Sequence, residues 1–298
     1  MRLRRACLPG LAALLGCTLL SPAHAAYFFS TGNTDGLMAV ASKPGSGGSQ
    51  IESADDFILP SQTTLTSATF TGLLAPGSSV TDVAVAIYGV FPVNSNTART
   101  SGSPFFSTPN VPTRVNSPSD IATATRDSAA SGLSFTTSVL QASFTASNSV
   151  RPGGIHPTPN QTTGGSGPAT GTEVEFDVSF LTPITLSAGQ YFFVPQVATN
   201  AGDFLWLSAP RPISGGSGPF SPDLQSWTRD GTTDPDWLRI GTDIVGGAPA
   251  PTFNAAFSLS GTEVPDPVPE PATLTVLALG TAALGWLRRR RGPAERHA

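Results

Sequence analysis

The sequence has one lysine, two cysteines, three histidines and only 12% charged residues over 298 positions, and each scarcity narrows the field. Soluble globular proteins carry roughly 25% charged residues, so this chain must build its surface mainly from neutral polar groups. Nucleic-acid binding needs clustered Lys and Arg, and a chain whose only lysine is Lys43 argues against that class. Both cysteines, Cys7 and Cys17, lie in the first twenty residues. Removal of that segment would leave no thiol, no disulfide and no thiolate metal site. No stretch shows a convincing helical period, and 31 Gly with 28 Pro disfavour long helices, at costs of roughly 1 and 3 kcal/mol per interior residue. Disorder of the highly charged kind is opposed by a 39% hydrophobic content, which is enough to build a core. What remains is an all-β, turn-rich chain.

The few charges are unevenly placed. Arg2, Arg4 and Arg5 lie at one end, and Arg288, Arg289, Arg290, Arg291 and Arg296 at the other, together 8 of the 16 basic residues. Residues 26–268 therefore hold 8 basic against 18 acidic groups, a net of −10 where the whole chain sums to −4. An acidic body is flanked by two basic ends.

The N-terminal end reads as an export signal. Arg2-Leu3-Arg4-Arg5 is a positive leader, Leu8 to Leu20 an apolar stretch, and Ala23-His24-Ala25 the small-x-small site of a signal peptidase, which predicts cleavage after Ala25. A competing reading takes Leu14-Leu15-Gly16-Cys17 as a lipobox with Cys17 acylated. It is disfavoured because the apolar run continues through Leu19-Leu20 to the Ala23/Ala25 site. About 240 remaining residues suffice to bury a core without disulfides.

At the other end, Pro269-Glu270-Pro271 precedes the apolar run 272–287 and then Arg288 to Arg291. Sixteen helical residues span about 24 Å against roughly 30 Å of hydrocarbon. The run is thus a marginal span, extended by Trp286 and the arginines, which place its end in the cytoplasm. This three-part tail resembles the PEP-CTERM sorting signal of Gram-negative bacteria. The resemblance implies recognition by a membrane-embedded exosortase, cleavage near the tripeptide, and release of the body from an inner-membrane intermediate, periplasmic side, toward the cell surface or exterior. An apolar tail that is removed rather than kept follows the logic of a lipid-anchor signal. The bland alternative is a permanent C-terminal anchor behind a Pro-rich spacer. The domain reading is a signal peptide at 1–25, an ectodomain at 26–263, a spacer with the tripeptide at 264–271, and the apolar helix with its Arg tail at 272–298.

Period-2 alternation dominates the body. Val174, Phe176, Val178 and Phe180 face one side of a strand, with Glu173, Glu175, Asp177 and Ser179 on the other, the pattern of one wet face. Phe253–Ser260 and Asp82–Phe91 alternate likewise, and Tyr191–Val197 is apolar on both faces, as a central strand would be. Further strands are expected at Tyr27–Ser30, Leu37–Ala41, Ile51–Leu59, Leu65–Leu74, Thr136–Thr145, Phe204–Ser208 and Leu238–Gly241. Ser119–Arg126 is expected to form at most a turn or two of helix, and Pro92–Asp120 a long loop. Together these predict an antiparallel β-sandwich, jelly-roll-like, with one C-terminal hydrophobic helix. Tyr27 to Asn33, Gly36 to Ala39, Ala54 to Phe57 and Ala256 to Thr262 resemble ectodomains that accompany this tail, which adds support for the fold and no chemistry.

Candidate chemistry is sparse. His156 sits among Pro and Gly, and His297 lies in the Arg tail. No G-x-S-x-G elbow accompanies them, so a His-dependent hydrolase has little to stand on. Asp230, Asp234 and Asp236 offer three carboxylates within one loop, suited to Ca²⁺. The competing reading is an Asp/Gly/Pro turn that caps its own backbone. Glu173, Glu175 and Asp177 share a face but stand roughly 7 Å apart, as in a solvated face. Asp55-Asp56 or Asp234/Asp236 would serve a glycosidase only if they flanked a cleft. Trp206, Trp227 and Trp237 would bind sugar if exposed and fill the core if not. The expectation is a non-catalytic surface or matrix protein without a required cofactor, its partners signal peptidase, exosortase and the inner membrane. The alternative is a module for exopolysaccharide, assisted by Ca²⁺; a secreted hydrolase comes third.

Overall fold

The computed structural model describes residues 25–45, 50–98, 115–155, 162–210 and 224–264, together with Gly280, Thr281 and Trp286. Among them run fifteen strands: β1 (Ala26–Ser30), β2 (Met38–Ala41), β3 (Ile51–Leu59), β4 (Thr63–Leu74), β5 (Val80–Val90), β6 (Pro118–Asp127), β7 (Leu133–Ala146), β8 (Asn148–Val150), β9 (Ala169–Leu186), β10 (Gly189–Thr199), β11 (Leu205–Ala209), β12 (Trp227–Asp230), β13 (Leu238–Arg239), β14 (Asn254–Ala255) and β15 (Phe257–Glu263).

They form two sheets. The larger runs β1-β15-β4-β11-β2-β8, with β9 joined to β4, β7 to β9 and β14 to β11; the smaller runs β13-β12-β3-β10-β5-β6. Strand β4 organises the larger sheet. Along one side it pairs with β9 from Thr63 to Leu74. On the other it pairs first with β15 and then, at Gly72 and Leu73, with β11. A side chain at Gly72 would not fit, because a Cβ there would stand 2.2 Å from the Phe204 ring and 2.7 Å from the Leu205 carbonyl. All pairings are antiparallel except β2 with β8.

The alternation seen in the sequence is what closes the sheets on each other. Phe70, Phe176, Val178 and Leu259 from the larger sheet meet Phe57, Val83, Val85, Ile87 and Phe193 from the smaller in one buried cluster. Phe70 stacks on Phe176 at 4.6 Å, and Phe193 stacks on Phe257 at 5.1 Å between the sheets, arrangements worth about 0.5–1.5 kcal/mol each beyond their buried area. The outer face of the smaller sheet is covered as well: Ala86, Tyr88, Phe192 and Val194 are buried with Leu224, Trp227 and Trp237. Strands β5 and β10 are thus buried on both faces, as the two-sided apolar run at Tyr191–Val197 predicts. The outer face of β7, β9, β4, β15 and β1 has no such cover among the described residues.

Agreement with expectation is at the level of two packed, mainly antiparallel sheets; it does not extend to a jelly-roll strand order. Ser119–Arg126, expected as helix at most, lies in strand β6, paired with β5. Its small alternating residues satisfy an edge strand, where one side has a ready partner. Leu238–Gly241 is a strand for only two residues before a π-helical turn, Ile240–Val245, and strands β8 and β12 were not anticipated. The expected C-terminal helix falls almost wholly outside the described residues, of which Gly280, Thr281 and Trp286 are helical. No helix among the described residues is long and apolar enough to cross a membrane.

Candidate functional site

The Asp230 loop is a self-capped turn. Asp230 Oδ1 accepts hydrogen bonds from Thr232 N at 2.8 Å and Thr232 Oγ1 at 2.6 Å, while the backbone N–H of Asp230 donates to Thr233 Oγ1 at 2.9 Å. Asp234 lies 3.1 Å from Arg229 Nη1, and Asp236 is buried. Asp230 and Asp234 are therefore engaged by different partners. Among the described residues no group of three or more His, Cys, Asp or Glu is arranged to hold a metal ion.

The other acidic pair is structural. Asp55 is fully buried and accepts from Ser226 Oγ at 3.0 Å and from Ala255 N at 2.8 Å, tying β14 and the entry to β12 onto β3. Asp56, its neighbour on the opposite face, accepts from Gln190 Nε2 at 2.6 Å. Trp206, Trp227 and Trp237 are all at most 2% exposed, which removes the tryptophan-platform reading: they fill the core. Trp206 Nε1 donates to Ala256 O at 2.9 Å, and Trp237 Nε1 to Ser119 O at 3.2 Å. His156, His297, Ala23, Pro269, Glu270, Pro271 and Arg288 to Arg291 lie outside the described residues.

What the sequence alone did not bring together is the uncovered face of the larger sheet. Directly paired residues share a face, so the registers place Thr136, Asp177, Thr69, Ser258 and Ser30 in one row across β7, β9, β4, β15 and β1. The next row is Ser134, Ser179, Ser67, Ser260 and Phe28, and a third holds Thr185, Thr64, Thr262 and Ala26. With strands about 4.8 Å apart, the face is roughly 19 Å wide and carries small hydroxyls almost throughout. Thr69 and Ser258 hydroxyls lie 2.6 Å apart, and those of Thr64 and Thr185 2.9 Å. The rows contain no Lys or Arg.

A groove of about 170 Å³ opens in this face, floored by Thr69, Thr71, Ser258 and Glu175, with Phe28 and Leu140 at its sides and Asn33 and Thr34 at one end. Phe28 is 69% and Leu140 50% exposed. Glu173 is buried beneath the β1–β2 loop, where it accepts from Thr34 Oγ1 at 2.7 Å, and so fixes that end of the groove. Glu175, two residues along the same face, is half-buried. It has no hydrogen-bond or ion-pair partner among the described residues. The expected wet face is thus graded: Glu173 is built in, Glu175 lines a groove, and Asp177 is exposed.

The two ends of the described body meet at one pole. Ala26 pairs with Thr262, Glu263 N donates to the Ala25 carbonyl at 2.8 Å, and Val264 N donates to Gln62 O at 2.7 Å. The predicted signal-peptidase site and the spacer to the C-terminal tail therefore leave the sheet side by side.

That tail is a protein-sorting signal. The chain carries a PEP-CTERM protein-sorting motif, whose family profile matches residues 267–291, and the motif implies export, a membrane-held intermediate, sorting to the cell surface and an exosortase as processing partner. No curated protein and no solved structure matches the chain.

Proposed function

We propose that this chain is an exported, non-catalytic cell-surface or matrix protein, made as a precursor with a removable segment at each end. Signal peptidase cuts after Ala25, and exosortase cuts near Pro269-Glu270-Pro271, with the apolar run held in the inner membrane and Arg288 to Arg291 on its cytoplasmic side. The observation that carries the reading is the sorting motif at 267–291. The geometry of the pole fits it. Strand β1 begins at Ala26, so among the described residues the first cut costs the fold one bond, that of Glu263 N to the Ala25 carbonyl. The seven residues 265–271 reach at most about 25 Å when extended, so a cut near the tripeptide takes place close to this pole. The non-catalytic part is supported by the placement of the acidic candidates: Asp55 and Asp56 are locked in backbone and side-chain bonds, and Asp230 in its own turn.

The test is Glu270→Ala in the full chain, followed by the size and location of the mature protein. The expected result is accumulation of a membrane-held form about 3 kDa larger than the wild-type product, on the order of 0.11 kDa for each residue left uncut. Wild-type processing would leave only the simple-anchor reading.

A further inference from the structure

We propose that the uncovered face of the larger sheet is a binding site for a neutral polysaccharide, with one sugar ring seated in the groove between Phe28 and Leu140. The proposal goes beyond delivery to the surface and does not depend on it. The first observation is asymmetry. In the smaller sheet β5 and β10 are buried on both faces, whereas the run β1, β15, β4, β9 and β7 of the larger leaves its outer face open among the described residues and paves it with hydroxyls rather than with the Lys and Glu that usually solvate a sheet. The second is chemistry. A Ser or Thr hydroxyl both donates and accepts, which matches the alternating donor and acceptor character of sugar hydroxyls. Phe28 offers an exposed ring, 69% accessible, to the C–H face of a pyranose. Glu175 supplies a half-buried carboxylate with no partner among the described residues, and a carboxylate accepts two hydroxyl hydrogen bonds of the stronger, charge-assisted kind.

Charge decides which polysaccharide. Glu175 and Asp177 stand on this face without a compensating cation in the rows, so uronate- or sulfate-bearing chains are repelled and uncharged ones are not. Size decides how it binds. At about 170 Å³ the groove is smaller than the roughly 300–1,000 Å³ of enclosed ligand pockets. It takes a single ring, and the rest of the chain lies over the hydroxyl rows. Affinity then comes from many weak contacts along a polymer rather than from one tight pocket.

The experiment is affinity electrophoresis of the full chain in a polyoxyethylene detergent, which carries no sugar headgroup, through gels containing hydroxyethyl cellulose, dextran or alginate. Retardation by at least one neutral glucan and none by alginate is expected. Phe28→Ala should weaken that retardation at least tenfold, and Glu175→Gln several-fold, with melting temperatures unchanged because both side chains lie at the surface groove. No retardation by either neutral glucan overturns the proposal, as does stronger retardation by alginate. Full retention of binding in both variants would also overturn it, by placing the site elsewhere.

Discussion

Arg229 is a buried cation among three kinds of partner. Its Nε donates to Glu52 Oε2 at 2.5 Å, Nη2 donates to the Tyr88 hydroxyl at 2.9 Å and Nη1 to the Pro235 carbonyl at 3.0 Å. Its guanidinium also lies 4.3 Å from the centre of the Trp237 ring. Burial works against the charge, but Glu52, Tyr88 and Asp234 outweigh it and hold the pKa above the ordinary arginine value. Arg229→Met would leave Glu52 buried without its counter-charge, at an expected cost of about 3–5 kcal/mol. Pairing it with Glu52→Gln should recover a large part of that loss, since no buried charge is then stranded. Urea unfolding of the two variants checks both values. This residue also shows why β12 was missed. Trp-Thr-Arg-Asp reads locally as a polar turn, and only partners on β3 and β5, far away in sequence, make its arginine a core residue.

At the scale of elements, what a strand shows by itself was legible and what its partners decide was not. Ile51–Leu59 was read with the bounds that β3 has, because its composition and length mark it without reference to neighbours. Strand β6 was not, since its Thr and Ala alternation is compatible with a helical turn until β5 is alongside. The hydroxyls of β9 and β15 were visible as alternation, but their rows depend on register across five strands, which no single segment encodes. The groove was hidden for the same reason: Phe28, Glu175 and Ser258 meet only through three separate pairings. Close approach has its own signature at Gly72, where β4 passes under the Phe204 ring. Gly72→Ala should destabilise the fold by about 1–3 kcal/mol, the usual cost of overpacking, because both the ring and the β11 carbonyl must move. Thermal unfolding would register the loss, and Phe204→Leu added to it should give part of it back by opening space.

For the molecule as a whole, the body's net of −10 overstates its surface acidity. Glu52, Asp55, Asp56, Glu173, Asp230 and Asp236 are buried and act as internal fasteners. Two buried phenols make stability sensitive to alkaline pH. Burial, with Glu263 adding, raises the Tyr27 pKa, and burial raises that of Tyr88 with Glu52 adding and Arg229 opposing. Groups raised in the folded state contribute fully below the unfolded value, near 10 for tyrosine. Above it the unfolded chain sheds protons that the folded chain keeps. Stability should therefore fall from about pH 10 upward by roughly 1.4 kcal/mol per pH unit for each tyrosine. Tyr27→Phe should remove one such contribution, which urea midpoints between about pH 9 and 12 would reveal as a shallower decline.

The meeting of the two ends at one pole has a mechanical consequence. The tail continues β15, an interior strand bonded to β1 on one side and β4 on the other, whereas the N-terminal segment continues the edge strand β1. While the membrane still holds the tail, any tug on the body arrives through a strand gripped on both flanks. Among the described residues the N-terminal segment leaves from a strand gripped on one flank only. The chain thus keeps its leash on its better-anchored strand for as long as a leash exists.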